Sequence, residues 1–215
     1  MRTPITLRCG SALLAGLALA PFAHADSLRA SASILSDYVW RGISESDGYP
    51  AAQGAVSYHG PLGLYGRIFA STLHYQGARE RGDFSVGAHE MTSSGLGINV
   101  GETAYRFDVN RLDFAETFIR LRFAGLTGGV YQDWQHDNTY VEAGYDAGLG
   151  SGIHLMLHGG HTFGHTEPSY NDYGIGLAKV WRRFTLGVFL TTTDLRPTRL
   201  SDTRVAVVFT RRWRW

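Results

Sequence analysis

Ser36-Asp-Tyr-Val-Trp-Arg-Gly-Ile-Ser-Glu-Ser-Asp-Gly-Tyr-Pro-Ala-Ala-Gln-Gly54 is the stretch on which the reading of this chain turns. It has the form of a hairpin: a strand running up to Trp40, a loop of Gly, Ser, Asp and Pro, and a strand restarting after Pro50. Those loop residues favour turns through backbone geometry and local hydrogen bonds. Tyr38 and Trp40 stand at the loop end of the first arm, where a membrane barrel places an interfacial girdle. The expectation is therefore an outer loop, with Arg41 to Pro50 on the rim and the two aromatics at the interface below it.

Upstream, Leu28, Ala30, Ala32 and Ile34 alternate with Arg29, Ser31 and Ser33, the period of a strand with two unlike faces. The same alternation recurs downstream and is cleanest where Val141, Ala143, Tyr145, Ala147 and Leu149 oppose Tyr140, Glu142 and Asp146. Twelve strands result. The weakest spans Leu96 to Phe107, where Glu102 and Arg106 share the face of Leu96, Ile98 and Val100; a bulge or an early exit is expected there. A polar break from His74 to Gly82 separates the third and fourth strands. The last strand carries Val205, Val207, Phe209, Trp213 and Trp215 on one parity, interrupted by Arg211, which can snorkel to the interface.

Short turns (Gly60–Gly63, Thr92–Gly95, Ala124–Gly125, Gly150–Gly152, Arg182–Arg183) alternate with connections that are mostly longer. Bacterial barrels have short periplasmic turns and longer outer loops, and with both ends periplasmic every short turn falls on that side. The fold class expected is all-β: a transmembrane antiparallel up-and-down barrel of about twelve strands. An open sheet is excluded in a bilayer, because unpaired backbone groups in hydrocarbon cost several kcal/mol each.

The chain has 215 residues. Arg2 and Arg8, the apolar run Ser11–Ala20 and Ala23-His24-Ala25 form a secretory signal peptide over residues 1–25, leaving a barrel over 26–215. The apolar run is too short to span a bilayer as a helix. Cys9, the sole cysteine, precedes that run, which excludes lipidation; the mature chain has no disulfide, no Cys-ligated zinc and no Cys nucleophile. Loss of Arg2 and Arg8 takes the basic count from 20 to 18 against 19 acids, a balance that argues for no nucleic-acid partner. The expected location is the outer membrane of a Gram-negative cell. The expected partners are outer-membrane lipid, the barrel-insertion machinery that reads a terminal aromatic strand, and small solutes or ions.

The stretch Ser36–Gly54 resembles the opening signature of the TorF family, exported bacterial proteins classed as porins without an established substrate. Weaker echoes lie at Gly63-Leu64-Tyr65-Gly66, Asp113-Phe114-Ala115-Glu116 and Asn171-Asp172-Tyr173. The fourth strand departs from the family: members often carry an acidic pair before a Gly-Tyr, and this chain reads Phe84-Ser85-Val86-Gly87-Ala88-His89. The resemblance implies an outer-membrane barrel with a porin role and supplies no site residues.

Parity itself selects candidates for the lumen. Asp37, Arg41, Arg67, Glu116, Arg120, Arg122, Glu142, Asp146 and Arg204 form the candidate pore-lining set, with Arg29, Arg212 and Arg214 on the same inward parity. Charged rings in a wet lumen set ion selectivity; the competing reading is that these charges pair and fill the interior. No loop is long enough to form an obvious plug, so Tyr65, Phe69, Phe114 and Phe118 with the arginines are expected to set the width of a narrow pore. His154, His158, His161 and His165 do not share one face and lack carboxylate spacing, so no metal site is expected. No cofactor is implied. A lipid-modifying enzyme is the rival class, but no Gly-x-Ser-x-Gly or His-Glu-x-x-His motif occurs. A filled structural barrel is the other alternative to passive passage of ions or small solutes.

Overall fold

A closed ring answers the backbone problem that the sequence poses. The computed structural model describes residues 27–165, 168–195 and 198–215, and the signal peptide expected over residues 1–25 lies outside them. The strands are β1 (Ser27–Leu35), β2 (Val39–Trp40), β3 (Ile43–Ser44), β4 (Ala51–His59), β5 (Leu64–Tyr75), β6 (Ala78–Met91) and β7 (Gly97–Phe107). They continue with β8 (Phe114–Phe123), β9 (Leu126–Asp133), β10 (Asn138–Gly150), β11 (Ile153–Phe163), β12 (Tyr170–Trp181), β13 (Phe184–Thr193) and β14 (Arg204–Arg214). All but β2 and β3 form one twelve-stranded antiparallel barrel in which sequential neighbours pair and β1 closes the ring on β14. No edge is left open, so the strands meet the condition for crossing a bilayer.

The two faces follow the period-2 pattern. Ile34, Val56, Ile68, Phe84, Val100, Ile119, Val130, Leu157, Ile175, Val188 and Val207 point outward with no protein covering them. A belt of that extent on a soluble monomer would be a large exposed patch; in a bilayer, lipid is its solvent. Inward, the same strands place polar, small and aromatic residues. At the lower end of the barrel, Trp181, Phe184 and Phe209 group on the outside with ring centroids 5.7 to 6.3 Å apart. The Arg211 guanidinium lies over the rings of Phe184 and Trp213.

Turn chemistry sets the hairpins. Gln76-Gly77, Ala124-Gly125 and Ser151-Gly152 each hold two consecutive positive φ angles, the two-residue geometry whose twist matches that of paired strands. The pair Gln76-Gly77 corrects the polar break expected at His74 to Gly82: β5 and β6 run through it, so one outer connection is as short as the lower turns. At β7 no bulge occurs; its register with β6 and β8 is unbroken, and Glu102 stays on the outer face. The register shifts lie instead at Thr72/Tyr75 and at Gly148/Gly150.

The largest correction concerns the opening stretch. β1 ends at Leu35, short of Trp40, and within the connection 36–50 the segment 37–47 leaves the wall and folds into the barrel.

A loop folded into the lumen as candidate functional site

Within residues 36–50, β2 and β3 pair as a miniature hairpin with Arg41-Gly42 at its tip. Both tip residues have positive φ (50° and 76°), the geometry of a two-residue hairpin turn. Gly42 is also required by space. A Cβ there would lie 2.8 Å from Asp172 Cβ and 3.1 Å from Thr193 Cβ. The tip thus abuts β12 and β13.

Three ionic clusters fasten this loop to the wall. At the tip, Arg41 Nη1 and Nη2 donate to the two carboxylate oxygens of Glu116 on β8, at 2.7 and 2.9 Å. The guanidinium sits 4.0 Å from the ring centroid of Tyr140 and 5.2 Å from that of Tyr131. Tyr131 is on β9, which stands diametrically opposite β1 in the ring, so the loop reaches across the lumen. Burial works against the Arg41 charge, but Glu116 outweighs it and holds the guanidinium above its ordinary pKa.

Farther along the loop, Glu45 receives Arg81 Nη1 from β6 at 2.6 and 2.7 Å. Arg81 also donates to both oxygens of Asp83, at 2.8 and 3.1 Å. The Trp40 and Tyr105 rings lie 4.9 and 4.8 Å from its guanidinium carbon. Burial pushes the Glu45 carboxyl above its ordinary pKa, against the opposing pull of Arg81. Nearest β1, Asp37 accepts from Ser44 Oγ, Ser46 Oγ and Arg204 Nη1, at 2.6, 2.9 and 2.9 Å. Main-chain bonds add to these: His74 N donates to Glu45 O, and Ser44 N donates to Leu200 O.

Tyr38 and Trp40 therefore face the lumen. Tyr38 packs with Leu35 and Ala51 and lies 6.5 Å from Phe69, while Trp40 packs with Tyr105 and Phe114. The expected interfacial girdle at these two residues is overturned, and so is the expected rim position for Arg41 to Asp47, while Gly48 to Pro50 stay exposed; the expectation that no loop plugs the barrel is overturned as well. The physical reason is charge matching. Asp37, Arg41 and Glu45 each meet an opposite charge on the inner wall, which offsets their desolvation.

The loop divides the interior. Above it lies a cavity of about 220 Å³ lined by Tyr75, Phe107, Glu116, Asp133 and Arg41. Below it, towards β8–β14, lies one of about 460 Å³ lined by Arg41, Arg120, Arg122, Glu142, His158 and Asp172. A third, of about 280 Å³, lies against β4–β7 beside Tyr38 and Arg67. Arg41 borders both the upper cavity and the larger lower one.

All nine residues of the candidate set are inside the barrel. Asp37, Arg41, Glu116 and Arg204 belong to the loop clamp. Arg120 lies 3.2 Å from Glu142, which also accepts from Tyr131 Oη at 2.7 Å. Asp146 meets His154 Nδ1 at 2.7 Å. Arg67 and Arg122 make no ion pair among the described residues. Of the aromatics expected to set the width, Phe114 packs on Trp40 and Tyr105, and Tyr65 Oη donates to Asn99 at 3.0 Å. Sequence reasoning missed Arg81, Asp83, Tyr131 and Asp172, for all of which inward parity was the available signal; Tyr140 and His158 it set on inward faces without a role in the candidate set.

The histidines serve local pairing. His158 Nε2 is 2.8 Å from Asp172 Oδ1 and 3.0 Å from Tyr140 Oη, so one ring nitrogen serves both contacts. A proton relay of the serine-hydrolase type needs both nitrogens. Ser57 Oγ lies 3.3 Å from His59 Nε2 with arginines around it in place of an orienting carboxylate. Among the described residues no three of His, Cys, Asp and Glu gather as a metal-binding group.

Known proteins resemble this barrel in fold. It matches the KdgM porin, solved alone and in complex with disordered oligogalacturonate, with a TM-score of 0.60, 9% identity, and 86% of this chain and 98% of that chain covered. It also matches the outer membrane protein Omp33 of Acinetobacter baumannii, with a TM-score of 0.50 and 8% identity over 89% of this chain and 98% of that one. No protein of curated function matches. Residues 21–213 match a family model described as a bacterial protein of unknown function (Gcw_chp).

Proposed function

The chain belongs to the Gcw_chp family of bacterial proteins of unknown function, and we propose that it is an outer-membrane channel giving passive passage to small solutes or ions. One observation carries the reading: the inserted loop leaves cavities with charged side chains in their linings both above and below itself, with Arg41 bordering each. A barrel serving only as a structural element would gain stability by filling that space with side chains, since unfilled volume forfeits packing contacts. The porin-type fold of the neighbours and the resemblance of Ser36–Gly54 to the TorF family support the same reading. In it, the Arg41–Glu116 clamp sets the narrow point, and solutes pass beside the loop in single file.

Liposome swelling with neutral sugars, organic acids and amines of graded size tests this. Uptake of the smallest solutes with a sharp size limit is expected. Vesicles that take up none of them, with folded protein present, would overturn the channel.

A further inference from the structure

We infer that the lower lumen is an anion-binding site, and that the solutes this barrel admits carry carboxylate or phosphate groups; the passage, though not the binding, rests on the channel reading above. The observation is a sorting of charge along the barrel. In the upper half every loop-contacting arginine is matched: Arg41 by Glu116, Arg81 by Glu45 and Asp83, Arg204 by Asp37. Below them Arg120 still pairs with Glu142, but at the bottom of the lumen the arginines are unmatched. A cavity of about 560 Å³ is lined by Arg29, Arg67, Arg182, Arg183, Arg212 and Arg214, and no Asp or Glu lines it. None of the six makes an ion pair among the described residues.

Their arrangement is costly without a counter-charge. Arg29 and Arg214 are direct cross-strand partners on β1 and β14. Arg29 also shares a row with Arg67 through Ser57 on β4. Like charges directly opposite one another destabilise a sheet. An anion held among them turns that repulsion into attraction. Guanidinium is the side chain whose planar fork matches a carboxylate or phosphate with two parallel hydrogen bonds. Low-dielectric barrel walls focus the field of such a cluster into the lumen. Arginine linings are one means by which pores favour anions and phosphates. His59, at the lower end of β4 with its ring 5.8 Å from Tyr65, adds no negative charge to the site.

The test uses the full chain reconstituted in phosphatidylcholine bilayers under a KCl gradient, with inorganic phosphate as the soluble probe. A reversal potential of anion preference is expected, together with a fall in chloride current when phosphate is added on the arginine side. Arg29→Ser/Arg67→Ser/Arg214→Ser should abolish the preference and weaken the phosphate effect at least about tenfold, as loss of charge-assisted bidentate bonds requires. The corresponding triple lysine variant keeps the preference, and Arg211→Ser, on the outer face, leaves it unchanged.

A potassium preference in the wild type overturns the inference while leaving the channel standing, as does a triple serine variant that behaves as wild type. Anion preference with no phosphate effect assigns the cluster to lipid headgroups and also overturns it. Absence of any current overturns the channel; calorimetric titration of phosphate into the maltoside-solubilised protein then decides the site. Binding lost in the serine variant upholds it, and no binding refutes it.

Discussion

Arg41 and Glu116 stand 75 positions apart and are joined by parallel hydrogen bonds of 2.7 and 2.9 Å, which fasten the tip of the first outer loop to the wall across the lumen. Both side chains are largely buried, at 12% and 3% exposure, so neither can be truncated without stranding the other. Arg41→Ala and Glu116→Ala should each cost about 3–5 kcal/mol, the range for breaking a buried pair. The double variant should cost less than the sum of the two, with a coupling of about 1 kcal/mol or more. Urea titration of the reconstituted protein measures this. The single variants should also raise channel conductance, because the tip is no longer held. Unchanged stability and conductance in both would refute the clamp.

Accessibility of the loop separates a plug from a rim. Ser46 is fully buried, whereas Leu62 in the turn after β4 is 94% exposed. In a Cys9→Ser background, Ser46→Cys should resist a maleimide reagent in the folded, detergent-solubilised protein and react once unfolded in urea. Leu62→Cys should react in both states. Rapid native labelling at position 46 would return the loop to the rim.

The opening stretch shows where reading by pattern stops. Period-2 alternation carries strand number, direction and face, because each strand's outer residues meet lipid and need no particular partner. That is why β10 and β11 can be read residue by residue. Tyr38 and Trp40 continue the parity of β1 and fit an aromatic girdle equally well. What draws them inward is Arg81, Tyr105 and Phe114, dozens of positions away and on other strands. The tip itself had a local signature, since Arg41-Gly42 between Val39-Trp40 and Ile43-Ser44 is a two-residue hairpin pattern. The segment 74–82 reads as a break because charged residues, Arg79 and Glu80, occupy exposed positions there. Glu80 takes the outward parity of Phe84 and Val86, so the alternation loses its apolar member.

Depth in the bilayer gives a further expectation. Ile119 is exposed on the outer face of β8, with Val100 and Val130 as its cross-strand partners. Ile119→Arg should lower folding stability by about 2–4 kcal/mol, the cost of an arginine on the lipid face near the bilayer midplane. Folding titrations into phosphatidylcholine vesicles measure it. A negligible change would mean that this face does not meet hydrocarbon.

Arg81 is the second hinge of the design, and its chemistry is more restrictive than that of Arg41. One guanidinium serves two carboxylates, Glu45 from the loop and Asp83 from its own strand, at 2.6 to 3.1 Å. Arg81→Met would leave both acids buried without a cation, so a loss of about 3–5 kcal/mol is expected. Arg81→Lys should recover little, since a point charge cannot present the fork that reaches both partners. Glu45→Gln/Asp83→Asn on the Arg81→Met background removes the stranded charge and should restore much of the lost stability. Replacing a whole buried ionic cluster is far less costly than removing one member. Thermal melts of the four proteins in one detergent order them: wild type highest, the neutral triple variant next, then Arg81→Lys and Arg81→Met. A neutral triple variant no more stable than Arg81→Met would show that shape, and not charge balance, holds Glu45 against β6.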